Sequence, residues 1–191
     1  MPANPSSSAT VDLSTYDNRG YHPGRGSLVR FLWYVCNAVF LASWLVPFSG
    51  PKRRLLRLFG ATIGKGVVIK PRVNIKYPWR LRIGHHTWIG EGAWIDNLLD
   101  VSIGANVCVS QGAYLLTGNH DYKDRRFGFL GSPIVIEEGS WVGAFAILCP
   151  GAHLARNSIV TVASVLRGNT VPGGIYAGNP ATCVRERIIS E

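Results

Sequence analysis

The chain has 191 residues, a formal charge of +9 at pH 7, and is 47% hydrophobic but only 16% charged. That balance excludes a disordered or polyelectrolyte chain, and the length suits one domain with a small appendage. Cys36, Cys108, Cys149 and Cys183 lie too far apart for a zinc ribbon, a CxxC redox site or a disulfide scaffold, which points to reduced thiols in a cytoplasmic protein.

Residues 1–26 are rich in Ser, Pro and Gly, with no basic start followed by an apolar run. They read as an extended or partly disordered arm without a cleaved signal peptide. In segment 27–60 no charged residue lies between Arg30 and Lys52, and the apolar stretch 31–48 is 18 residues long, the lower edge for crossing a bilayer. Asn37, Ser43 and Pro47 interrupt it, and KRRLLRLFG follows as a basic, amphipathic turn of helix. Two arrangements fit this helical segment. It packs on the following domain or a neighbouring subunit, or it lies peripherally on the inner face of an anionic membrane, helped by Lys52, Arg53, Arg54 and Arg57. The positive excess suits a polyanionic partner. Without an aromatic–basic interleave or a groove-reading helix, nucleic acid is set aside.

From Ile63 a six-residue period takes over. Fifteen hexads, from IGKGVV to LRGNTV, all begin with Ile, Leu or Val, and twelve carry Ser, Thr, Ala or Val at the fifth place. The exceptions, Trp79, Leu99 and Asn119, each close a group of three hexads, just before insertions of two, two and fifteen residues. The unit is therefore an eighteen-residue triangular coil of three short strands that tolerates insertions at one corner. First-position aliphatics stack into a core that no single coil could bury. The pattern predicts an all-β repeat: a parallel β-helix of about five coils, ~4.8 Å apart, spanning 61–180 with an inserted loop at 121–135. Asn179-Pro180 ends the repeat, and 181–191 is expected to cap it as a helix.

The inserted loop opens as TGNHDYKDRRFGFLGSP. A loop of this length in a compact repeat is usually functional. His120 sits at its root, and imidazole can accept a hydroxyl proton near neutrality. Asp121 could orient it.

With the hexads, TGNHDY, PIVIEEGSWVGAFAILCPGAHL and YAGNPATCVR in place, the chain resembles the hexapeptide-repeat O-acetyltransferases, whose β-helix is left-handed. LSTYDNRGYHPGRGSLVRFLWY and GVVIKPRVNIKYPWRLRIG make it similar to the colanic-acid-type exopolysaccharide acetyltransferases, over about 13–187. The resemblance implies transfer from acetyl-CoA to a sugar hydroxyl, free or lipid-linked, without a metal or an acyl-enzyme. It also implies a homotrimer with active sites between adjacent prisms. Carried over residue by residue, His120 matches the general base and the Ala144 N–H matches the donor to the oxyanion. Trp141 matches an aromatic beside the pantetheine channel, and Val162 and Ala163 match backbone contacts to the pantetheine arm. Arg167 and Arg185 match basic residues near the nucleotide phosphates. The chain reads TGNHD where relatives acting on simple sugars often read TGHP. Gly90 and Leu98 stand where the galactoside enzymes place an acceptor-binding carboxylate and amide, so Asp96 and Asn97 on the same coil, with Asn119, are the candidates for binding the acceptor. Two other readings use the same prism: a zinc enzyme like the β-helix carbonic anhydrases, and a non-catalytic scaffold. The first could use His85 or His86 with His120, but Leu115 and Arg125 occupy the places of a third ligand.

Overall fold

The structure, a computed structural model, describes residues 10–190. Three parallel sheets form the sides of a prism. Strands Thr62–Ile63, Leu81–Ile83, Val101–Ile103, Ile134–Ile136 and His153–Leu154 build the first side. Val68–Ile69, Trp88–Ile89, Cys108–Val109, Trp141–Val142 and Ile159–Val160 build the second, and Asn74–Ile75, Trp94–Asp96, Tyr114–Leu116, Ile147–Leu148 and Val165–Leu166 the third. Hexad starts stack in register: Ile69, Ile89, Val109, Val142 and Val160 pair one above the other on the second side. All fifteen starts are buried, and so are all twelve small fifth-position residues. Trp79, Leu99 and Asn119 are not buried, because each sits where the chain leaves the coil for an insertion.

Five complete turns are followed by the beginning of a sixth, so the solenoid has about six turns rather than five. Asn169 bridges to His153, and Gly174–Gly178 extends the second side with Tyr176 opposite Val160. An aromatic occupies the interior place there, which a frame of aliphatic starts does not register. The expected C-terminal helix is absent. Ala181–Glu186 is instead a strand running antiparallel to Gly174–Gly178. Residues Thr182 and Val184 are β-branched, and pairing here covers the open edge of the last turn, which a helix would leave with unpaired backbone groups.

The other end of the prism is closed by helices. Helix α1 (Ser27–Cys36) runs into a π-helical turn (Asn37–Leu41), and α2 (Ser49–Leu58) follows. Trp33, Leu41 and Leu56 are buried against the first coil. The carbonyls of that coil have no preceding strand, and side chains of the cap satisfy them. Trp33 Nε1 donates to Ile75 O at 2.9 Å, Lys52 Nζ to Lys70 O at 2.8 Å, Arg53 Nη1 to Val67 O at 2.6 Å and Arg57 Nη2 to Ile63 O at 2.8 Å. Three of the four basic residues considered for a membrane thus cap the solenoid, as the packing arrangement requires. Burial pushes the Lys52 ammonium below its ordinary value. No helix among the described residues is long and apolar enough to cross a membrane.

Candidate active site

His120 ends a strand (Gly118–His120) that pairs antiparallel with Phe129–Gly131, at the corner between the third and first sides. Two Asx turns shape the tip of this hairpin: Asp121 Oδ1 accepts Lys123 N–H and Asp124 Oδ1 accepts Arg126 N–H, both at 3.0 Å. They deliver Phe127 with φ of +52°, a left-handed conformation unfavourable for a bulky residue. Its carbonyl thereby lies 3.0 Å from His120 Nδ1, and its ring stacks on the imidazole with centroids 4.5 Å apart. A carbonyl can only accept, so Nδ1 carries the proton and Nε2 presents a lone pair in the neutral ring. The group that orients His120 is this carbonyl and not Asp121, whose carboxylate is engaged with the loop.

The arm also serves the hairpin. Tyr16 meets the imidazole edge-on at 5.8 Å, Tyr21 packs on Phe129 at 4.7 Å and donates to Leu98 O, and Asp12 N–H donates to Arg125 O. Residues 12–24 are therefore laid along the corner that carries His120. Their contacts, about a hundred positions away in sequence, leave no periodic signal; only the two tyrosines in a polar stretch hint at them. The part of the expected arm before residue 10 lies outside the described residues.

The acceptor candidates separate sharply. Asn97 is fully buried, its Nδ2 donating to Tyr77 O at 2.6 Å and its Oδ1 accepting Tyr77 N–H at 2.9 Å. It clamps the corner and, fully buried, is out of a ligand's reach, which corrects the expectation that it binds the acceptor. Asp96 lies at the same corner one coil before His120; its Oδ2 accepts the Tyr114 hydroxyl at 3.3 Å, while Oδ1 is buried without a hydrogen-bond partner. Burial and the Asp96 charge push the Tyr114 hydroxyl up to about 12, keeping it a donor. Asn119 is exposed, with its Oδ1 on His120 N–H.

A second constellation occupies another edge, the corner between the second and third sides. A groove of about 390 Å³ is lined by Ser110, Gln111, Trp141, Ala144 and Val162 among others. Trp141 Nε1 donates to Ser110 Oγ at 2.8 Å, which holds the indole along the groove wall. Gly143 N–H donates to Val160 O and Phe145 N–H to Gln111 O, but the Ala144 N–H between them meets no acceptor among the described residues. A Cβ on Gly143 would lie 2.7 Å from Val162 N, so only glycine allows the two coils to approach this closely. Ala163, at φ of +55°, follows Val162 and donates its N–H to Ala144 O at 2.9 Å. Through Ser110 and Gln111 the groove continues into a wider one of about 680 Å³, lined by Lys70, Arg72, Trp88, Glu91 and Phe145. Arg167 lies instead on the edge that carries His120, and Arg185 on the outermost strand; both are exposed. His85 and His86 lie at the third corner, between the first and second sides, apart from His120. Among the described residues no three His, Cys, Asp or Glu side chains are grouped to hold a metal, and all four cysteines are free.

No family model matches the chain. The prism is, however, that of the hexapeptide-repeat acetyltransferases. One from Vibrio cholerae, solved with acetyl coenzyme A, superposes with a TM-score of 0.76 at 22% identity, over 85% of this chain and 88% of that one. A galactoside acetyltransferase in complex with coenzyme A gives 0.73 at 24% identity, over 83% and 80%. In sequence, the "Putative colanic acid biosynthesis acetyltransferase WcaF" of Escherichia coli (strain K12) is 36% identical over 181 residues, 94% of this chain and 99% of that protein. The chain therefore belongs to the hexapeptide-repeat acetyltransferases, in the family of that WcaF protein.

Proposed function

We propose that the protein transfers an acetyl group from acetyl-CoA to a sugar hydroxyl in exopolysaccharide or surface polysaccharide biosynthesis, as a cytoplasmic homotrimer with active sites between prisms. One observation carries this reading: the oriented imidazole and the groove with the free Ala144 N–H sit on different edges of the same prism. A single chain keeps them apart, and a neighbour in a three-fold ring brings one edge against the other. Exposed apolar side chains border the groove, with Trp88 at 59% and Phe145 and Val162 at 65%, as expected of a surface that a partner covers. The relatives' names and their complexes with acetyl-CoA and CoA support the donor, and the colanic acid relative supports the pathway class.

In this mechanism His120 Nε2 takes the proton from the acceptor hydroxyl as its oxygen bonds to the thioester carbonyl carbon. The Ala144 N–H donates to the oxygen that gains charge. The imidazolium then returns the proton to the departing CoA sulfur, so no cysteine is acylated. Asp96, partly exposed at the His120 corner, serves a sugar hydroxyl as acceptor. Small groove residues leave room for the pantetheine arm along Val162 and Ala163. Arg167, on the partner's His120 edge, and Arg185 serve the nucleotide phosphates. The test is release of free CoA from acetyl-CoA across a panel of nucleotide sugars and lipid-linked oligosaccharides. Release that depends on one acceptor, with ester formed on its sugar, is the expected result; none with any sugar opposes the assignment.

A further inference from the structure

We propose that the helical cap across the first coil is a docking face that seats the protein on an anionic bilayer without spanning it. The cap has two unlike surfaces. Trp33, Leu41 and Leu56 face the prism and are buried, whereas Leu28, Phe31, Tyr34, Trp44, Leu45 and Phe48 are exposed, up to 76% for Leu45. These six lie on one continuous segment, α1 and the turns up to α2. Nothing else among the described residues covers them, and a face of this size is not left bare by accident.

Charge selects the occupant. From residue 18 to residue 90 the sequence contains no Asp or Glu and 13 Lys or Arg, whereas the remainder carries a net charge of −4. All of that basic block but Arg19 and Arg25 lies in the cap and the first coils, so the molecule is positive at the end where the apolar face lies. Lys52, Arg53 and Arg57 donate to backbone carbonyls, which leaves their charge unneutralised. Arg54, Lys65, Lys70 and Arg72 are exposed around them. Arg72 spreads its guanidinium over Trp44 at 5.3 Å, placing cation and indole together as at a headgroup boundary. A second copy docking by the same face would set two such blocks against each other. A bilayer with anionic headgroups satisfies both the apolar and the cationic surfaces. Resting on the transferase reading, one consequence follows: the wide end of the groove, at Lys70 and Arg72, opens beside the lipid, where a lipid-linked sugar would present itself.

Flotation with phosphatidylcholine vesicles, with and without about 30% phosphatidylglycerol, tests the proposal independently of any enzymatic activity. Binding is expected only with the anionic lipid, and it should fall roughly tenfold between about 0.1 M and 0.5 M salt as the charges are screened. The triple variant Phe31→Glu, Leu45→Glu, Phe48→Glu should lose flotation while keeping the melting temperature and light-scattering mass of the parent. Three results would overturn the proposal: no flotation of the parent, unchanged flotation of the variant, or a fall in the variant's mass, which would make the face a subunit contact.

Discussion

Replacing His120 with Ala should lower turnover by about 10²–10⁴ while leaving acetyl-CoA affinity nearly unchanged, because a general base acts on the acceptor and not on the donor. The size of the effect follows from how thoroughly the imidazole is prepared. The Phe127 carbonyl fixes the proton on Nδ1, Phe127 and Tyr16 hold the ring on two sides, and Nε2 is left to accept. The hairpin keeps this geometry at the cost of a bulky residue with a positive φ, a strain of about 1–3 kcal/mol. Steady-state kinetics on the acceptor that supports CoA release, paired with calorimetric titration of acetyl-CoA, make the check. Wild-type turnover in the variant would reduce His120 to a structural residue.

Ala144→Pro is the second large effect. It removes an N–H at the groove that meets no acceptor among the described residues, and loss of a donor to a developing oxyanion typically costs about 10²–10³ in turnover. Ala144→Gly keeps the N–H and should retain most activity. Comparing kcat for the two variants, with circular dichroism melts to show that both stay folded, separates a lost donor from a lost fold.

The solenoid was legible because its core obeys one local rule repeated fifteen times, and each of those aliphatics is buried. Where the rule changes chemistry it stops being readable. Tyr176 enters the interior as an aromatic, and the tail pairs as a strand because an open sheet edge needs covering, a demand that belongs to the assembled fold. His120 stood out as a histidine at the root of the one long insertion. What orients it did not, because a backbone carbonyl has no residue identity and Phe127 owes its conformation to two Asx turns. Asp96 and Asn97 are neighbours in sequence and look equivalent there. In the fold, side chains alternate, so Asn97 turns inward to clamp Tyr77 while Asp96 stays partly exposed at the corner, with the Lys76 ammonium 4.0 Å from its Oδ1. Similarly, Lys52, Arg53 and Arg57 suit either packing or a membrane in sequence, and the carbonyls that claim them belong to a coil that starts without a predecessor.

In the proposed trimer, catalysis needs the His120 edge of one chain and the Ala144 groove of another. His120→Ala and Ala144→Pro chains, each inactive alone, should be mixed under conditions that exchange subunits, and CoA release then measured. If the site takes one half from each of two neighbours, random assortment gives roughly one quarter of sites with both halves intact, and activity returns toward that fraction. If subunits exchange, as shown by mass spectrometry of differently tagged chains, and the mixture stays as inactive as its parents, the site lies within single chains and the account is wrong.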